Sequence, residues 1–370
     1  MGLLIAAAAL LLGYGTAYVA SDEVRYLTRA GIEETRILAG RVPISRLAAD
    51  PSVPDSLRAA ARLVTDARTF AVQLGLDAKE TYTTYSEVRR DTLLLVLTTS
   101  PKTCLCPVTW AYPIVGRVSY KGYFDFAQAR AAAAAFTAKG NDVNLRPSAA
   151  FSTLGWFNDP LLSTALTRDR VELAALVFHE IAHNTLWVKG ATDFNESFAQ
   201  WIGYRAAEAF FRSRGDTAGA VHARDRWHDE QLLGEYYAIL MGKLDSLYAL
   251  ELPPAANEAG RVAIAAWSRD TLAAPLGTHL RTIDPTRLGG RPINNAALLG
   301  VRLYRTNLDL FDAWDHQNGG DLRVALFRLT GLLEDAQGPQ GFQRLRVMLD
   351  MPDTADSSAS PVANEVTDGP

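Results

Sequence analysis

The chain has only two cysteines, Cys104 and Cys106, in 370 residues. That excludes a disulfide-stapled scaffold and a four-cysteine zinc module. An excess of one charge sign is also missing. The 37 basic residues stand against 41 acidic ones, a net charge of -4, which leaves no electrostatic footprint for nucleic acid, so no such partner is expected. Long uncharged runs are scarce, and a single one at the N-terminus allows one membrane pass at most. Between residues 22 and 351 there is neither an internal repeat nor a Gly/Ser linker. Histidine is rare, with six in the chain, so the placement of each carries information. Apolar residues are plentiful. They make up 48 % of the chain against 21 % charged, enough for a sizeable core and too many for a disordered polymer.

The uncharged run is Gly2 to Ala20, GLLIAAAALLLGYGTAYVA. As a helix rising 1.5 Å per residue it spans about 28 Å, close to the hydrocarbon thickness of a bilayer. It lacks the basic start of a secretory signal, and a cut after Ala20 would put Tyr18 where a small residue is wanted. An uncleaved anchor over residues 1–20 is therefore expected ahead of a cleaved signal or a buried core helix. Either of the first two puts the remainder outside the cytoplasm, and the first makes the membrane a partner. At the other end, residues 352–370 (PDTADSSASPVANEVTDGP) have no periodic apolar positions and read as a disordered tail. Residues 21–351 are read as one catalytic domain.

Helical spacing of Val24, Leu27, Ala30, Ile37 and Leu38, and again over Leu57 to Leu74, predicts helices broken at Pro43, Pro51 and Pro54. The period then changes. Thr92–Thr99 (TLLLVLTT) and the alternating Ile114–Tyr120 read as strands, Asp125–Ala138 as a helix closed by Gly140, and Val143–Leu145 as a further short strand. Helices dominate afterwards. The order predicts an α+β fold, with strands and helices mixed in the middle third and a helical C-terminal part.

Residues 169–188, DRVELAALVFHEIAHNTLWV, form a strongly apolar helical segment that contains His179-Glu180-Ile181-Ala182-His183. His179 and His183 are one turn apart on one face, where two neutral imidazoles can bind one zinc ion. Glu180 is rotated about 60° from His183, so it leans toward the same site without being a ligand. That position suits a general base acting on water. Chance yields this pattern in roughly 0.5 % of chains with so few histidines. The competing reading is a pair of core histidines with a hydrogen-bonded glutamate, and it carries the cost of burying three polar groups in an apolar helix.

A third ligand is needed. Gly190 reads as the stop of this helix and Asp193 as the cap of a second one running to about Phe211, with Glu196 in its first turn. Glu196 is then either a carboxylate brought opposite the two histidines, ionised near a helix N-terminus, or merely part of an Asp193-x-x-Glu196 capping box.

H-E-x-x-H followed by Asn195-Glu196-Ser197-Phe198-Ala199 resembles the gluzincin metallopeptidases, in which the Glu of N-E-x-x-A is the third zinc ligand. Further stretches resemble a bacterial family of predicted aminopeptidases: Tyr120–Phe124 (YKGYF), Phe151–Pro160 (FSTLGWFNDP), Phe178–His183 (FHEIAH), Phe194–Ala199 (FNESFA) and Pro292–Ala296 (PINNA). The resemblance runs from about Gly40 to Met351. It implies a zincin-like metallopeptidase domain, mainly helical with a small mixed sheet before the H-E-x-x-H helix. It also implies one zinc ion per chain held by His179, His183 and Glu196, Glu180 as the catalytic base, a peptide or protein substrate, and a membrane-anchored place in a bacterial periplasm or cell envelope. The chain departs from the family at several points. It has no lipoprotein cysteine, it reads Trp-Ala-Tyr-Pro at Trp110–Pro113 where members often carry Cys, and it has Gly203 where some members place an acid. It also lacks the G-x-M-E-N motif that binds a substrate amine in one aminopeptidase clan. Peptide hydrolysis thus follows from the motif, and aminopeptidase specificity from the resemblance alone. A membrane-tethered endopeptidase and a silent zincin that binds peptides or scaffolds a complex are the alternatives.

Other residues are weaker candidates. Tyr120 and Tyr123, just after a strand, and Ser152 and Thr153, before the active helix, are candidate substrate-binding groups. Tyr204, Tyr236, Tyr237 and Tyr304 are further oxyanion candidates with no ranking among them. Cys104 and Cys106, read as sharing a strand face, could offer two thiolates, but without companions they read as structural. His222 and His228 read as surface histidines.

Overall fold

The computed structural model describes residues 2–112, 116–148, 160–273, 275–288 and 292–351. The N-terminal part is helical, with α1 (Gly2–Ala20) and α2 (Asp22–Ala39), then the short strand β1 (Val42–Pro43), α3 (Ile44–Ala49) and α4 (Asp55–Leu74). Strands follow: β2 (Thr84–Ser86), β3 (Leu94–Ser100), β4 (Trp110–Tyr112), β5 (Gly116–Val118) and β6 (Lys121–Tyr123). After α5 (Phe126–Ala138) come β7 (Asp142–Ser148) and β8 (Leu161–Leu162). The remainder is helical: α6 (Arg170–Thr185), α7 (Thr192–Ser213), α8 (Thr217–Tyr248), α9 (Pro254–Ala273), α10 (Asn295–Tyr304), α11 (Leu308–Gln317), α12 (Leu322–Leu333) and α13 (Gln340–Met348). The protein is mainly helical with small sheets, consistent with the expected α+β class.

The uncharged N-terminal run forms α1, with Leu10, Leu11, Leu12 and Val19 exposed. Among the described residues no helix is long and apolar enough to cross a membrane. The side chains of Leu3, Leu4, Ile5, Ala7 and Ala8 in α1 lie outside that set, as does the tail at 352–370.

The sheet that bears on the site has the order β6-β3-β7, antiparallel throughout. Side chains alternate across it. Leu95, Leu97, Tyr123 and Leu145 pack under α5 with Ala129 and Phe136. Val96 pairs with both Gly122 and Arg146 and belongs to the opposite face. On that face the Thr98 hydroxyl donates to the Ala296 carbonyl of α10. The expected Ile114–Tyr120 strand is broken up. Residues 113–115 lie outside the described set, β5 pairs with β4 as a hairpin, and Tyr120 precedes β6.

The main core gathers around α6 and α7, where Phe178, Phe194, Phe198, Trp201, Phe210 and Phe311 are fully buried. The two helices approach closely because α7 presents small residues. A Cβ built on Gly203 would sit 3.0 Å from the Ala175 carbonyl of α6 and 3.5 Å from the His179 Cβ. This accounts for glycine at 203, since there is no room for a longer side chain. Gly203→Val should cost about 1–3 kcal/mol of stability through overpacking, read as a lower denaturant midpoint. An unchanged midpoint would show that α7 can step away from α6.

A second core joins α8, α9 and α10 through Leu240, Leu244, Leu272 and Leu299. A buried polar knot ties it to β7. Arg261, 2 % exposed, pairs with Asp142 at 2.6 Å and donates to the carbonyls of Lys102 and Ile293. Asn294 caps α10 by accepting from the Ala297 N–H, and its amide donates to the Val143 carbonyl. Asn295 donates its backbone N–H to Asp142 and its side-chain amide to the carbonyls of Pro101 and Cys104. The Pro-Ile-Asn-Asn-Ala stretch therefore fixes the start of α10 against β7. Cys104 and Cys106 are joined to each other in the loop after β3. They do not lie on a strand face and offer no thiolate pair.

Candidate metal centre

Helix α6 starts where Asp169 accepts from the N–H groups of Val171 and Glu172. Val171, Leu173, Ala174, Val177, Phe178 and Ile181 bury its apolar face. The same burial holds His179 and His183 in place, one turn apart, with ring centroids 4.9 Å from each other. The helix ends at Thr185 and not at Gly190, which instead takes a left-handed turn conformation with φ 75° in the loop beyond.

That loop is held by Asn195. Its side-chain oxygen accepts from the Val188 N–H and its amide donates to the Val188 carbonyl, at 2.8 and 2.9 Å. Asn195 is fully buried, so the Asn of the N-E-x-x-A stretch staples the loop back onto the helix that carries the next residue. Asp193 does not cap α7. The cap position is Ala191, which makes no side-chain cap bond, and Asp193 lies within the first turn. Glu196 consequently sits two residues further into the helix than expected, beyond the first turn, and its side chain turns to α6. It lies 3.4 Å from the Nε2 of His179 and 3.8 Å from that of His183. The capping-box reading of Glu196 is thereby excluded.

One ligand atom from each of His179, His183 and Glu196 lies within 4.8 Å of the others. The donor set, two imidazoles and a carboxylate converging from two helices, fits a divalent ion of the zinc type. Burial, with the neighbouring His179, depresses His183 to about 4, which keeps it in the neutral form that ligates. Burial also opposes charge on His179, but hydrogen bonds to Glu196 and Gln200 and the charges of Glu180 and Glu196 outweigh it and raise its pKa. Burial works against ionisation of Glu196, and the two histidines more than reverse this, holding the carboxylate below its usual range.

Gln200 was not evident from the sequence. It follows Glu196 by one turn of α7, and its side chain favours the charged form of His179. A polar side chain so placed can orient the imidazole ring. Helical spacing from Glu196 is the signal that could have found it.

Among the tyrosines, Tyr120 and Tyr123 are differently placed. Tyr123 pairs with Leu95, is buried, and stacks edge-on with Tyr26 under α5, away from the centre. Tyr120 lies just before β6 and is partly open to solvent, and its phenol is raised by desolvation and by the charge of Glu196. Tyr304, at the end of α10, lies with its ring 6.2 Å from that of His179. Burial, then the charges of Glu196 and Glu180, hold its phenol well above the ordinary range. Both tyrosines therefore stay protonated and able to donate. Tyr204 is engaged elsewhere, with Glu172 and Arg226, and Tyr236 with Ser268. Tyr237 packs in the second core. Ser152 and Thr153 lie outside the described residues. Trp187, just past α6, is 54 % exposed with its ring 5.7 Å from that of His183.

His222 and His228 are part-exposed and pair with Asp169 and Asp229. Asp169, Glu172 and His222 also bring ligand atoms within 4.8 Å. Their contacts are internal, because Asp169 caps α6 and Glu172 pairs with Arg226.

A family model described as "Putative aminopeptidase" matches residues 25–340. The chain belongs to that family. The match spans α6, α7 and α10, and so covers every residue of the centre described above. Membership in the "Putative aminopeptidase" family supports a peptidase. No curated protein and no solved structure matches the chain.

Proposed function

We propose that the chain is a zinc metallopeptidase of zincin-like, gluzincin type, and that it removes residues from peptides as an aminopeptidase. The observation that carries this reading is the convergence of His179, His183 and Glu196 within 4.8 Å in a member of a family named for aminopeptidases. One zinc ion held by these three residues would supply Lewis acidity toward a carbonyl and acidify a water. The remaining tasks belong to the chain. Glu180, next to His179 on α6, takes the proton of the attacking water and returns it to the leaving amine. Tyr304, held protonated beside His179, donates its hydroxyl to the negative charge that develops on the carbonyl oxygen. Gln200 orients His179, and Asn195 fixes the loop that sets Glu196 against α6. Placement at a cell envelope is part of the same proposal and is supported by the uncharged segment 2–20.

The reading is tested by assaying hydrolysis of short unblocked peptides by the purified chain, before and after a chelator. Activity lost with chelation and regained with zinc supports it, and no hydrolysis of any peptide in a zinc-supplemented, folded chain contradicts it. Tyr304→Phe should lower kcat about 100-fold with KM nearly unchanged, as for loss of one oxyanion donor. An unchanged kcat would move that role to Tyr120.

A further inference from the structure

Beyond the end of α6 the backbone runs extended at Leu186, and extended chain turns successive side chains to opposite sides. Leu186 and Val188 face inward and are buried, while Trp187 between them is 54 % exposed. The segment is pinned on both sides. The Leu186 N–H closes the last turn of α6 on the Ala182 carbonyl, and Asn195 bonds both backbone groups of Val188. The Lys189 carbonyl then accepts from the Gly338 N–H at 2.8 Å. Held this way, the indole leans edge-on against the ring of His183, with centroids 5.7 Å apart. The cluster beside it is open to solvent, since the side chains of His183 and Glu196 are 18 % and 17 % exposed. A single apolar side chain at a surface calls for no explanation by itself. Trp187 differs because its backbone is fixed on both sides and its ring lies against one of the three residues of the cluster.

We propose that Trp187 is a wall of the substrate site and seats a large apolar side chain of the peptide, on a residue flanking the bond to be cut. This rests on the hydrolase reading of the same centre. A peptide bond brought to the cluster carries its flanking side chains past His183, so an indole against that imidazole is within reach of one of them. Tryptophan offers a large and rigid apolar face with little rotamer freedom to lose. Covering that face with a leucine or phenylalanine side chain removes apolar surface of both partners from water, and an alanine covers little of it. The preferred substrates are accordingly peptides with a leucine or an aromatic residue next to the cleaved bond.

The test compares tri-alanine with Phe-Ala-Ala and Ala-Phe-Ala, which put the ring on either side of the first peptide bond. The full chain is used, zinc-supplemented. Hydrolysis by the parent is read as kcat/KM, and binding to the Glu180→Gln chain is read by calorimetry. One of the two phenylalanine peptides should exceed tri-alanine about 10-fold in both readings, the part of a full side-chain burial that one wall supplies. The ratio should fall toward one in Trp187→Ala and be partly kept in Trp187→Phe. It is taken within each variant, so a general loss of activity or of folded chain does not enter it. A ratio unchanged in Trp187→Ala overturns the assignment. Preference for Lys-Ala-Ala over both phenylalanine peptides also overturns it, because the indole would then seat a cation. A parent that cleaves and binds all the peptides equally keeps the hydrolase and removes the apolar seat. A parent that cleaves none, while a phenylalanine peptide is still held through Trp187, keeps the seat and removes the hydrolase.

Discussion

Glu180→Gln should abolish peptide hydrolysis while leaving the bound zinc in place. The substitution keeps the side chain's shape and removes its basicity. Glu180 lies on α6 between the two histidines, and Glu196 occupies the position facing both imidazoles, so Glu180 is not needed as a ligand. A general base contributes typically 10²–10⁴-fold, and a loss of about that size in kcat is expected. Zinc per chain, measured on the same preparation, should equal that of the parent. If zinc were lost with the activity, Glu180 would be a ligand or a prop of the site and not its base. If activity survived, the water would be activated by another group and Glu180 would not be the base.

Glu196→Ala should release the zinc. It removes the only carboxylate of the three-residue cluster and leaves His179 and His183 as two ligands from a single helix. A site with two imidazoles alone has no second element to close it, and affinity should fall by more than the 10- to 100-fold that follows loss of an outer partner. The fold should persist. Glu196 is part-exposed, and the α6–α7 contact rests on Phe178, Phe198, Trp201 and the close approach at Gly203. Zinc content would read the loss and far-ultraviolet circular dichroism would read the fold. Full retention of zinc in the variant would return Glu196 to a structural role.

The helix pair and the shared face of His179 and His183 were legible because each depends on short-range spacing. His179 and His183 share a face by the helical repeat, and Asp169 caps α6 through bonds to Val171 and Glu172. The details of the turn between the helices were not legible. Asp193 looked like a cap, yet the loop is closed instead by Asn195 bonding both backbone groups of Val188. That choice is made by tertiary packing, which moves the start of α7 two residues upstream of where an Asp193 cap would set it. Tyr304 is brought to His179 by α10, which is anchored by Asn294, Asn295 and Asp142 at its far end. Such long-range placement leaves no periodic trace. The knot around Arg261 is equally silent, because an arginine in a helix reads as a surface residue until Asp142 is found beside it.

The central claim is that His179, His183 and Glu196 hold one metal ion on which hydrolysis depends. The most direct measurement is elemental analysis of metal per folded chain, taken as purified, after chelation and after zinc is restored, with peptide hydrolysis followed on the same samples. The account predicts about one zinc per chain, lost and regained in step with activity. A folded chain that holds no metal and takes up none when zinc is added would contradict it.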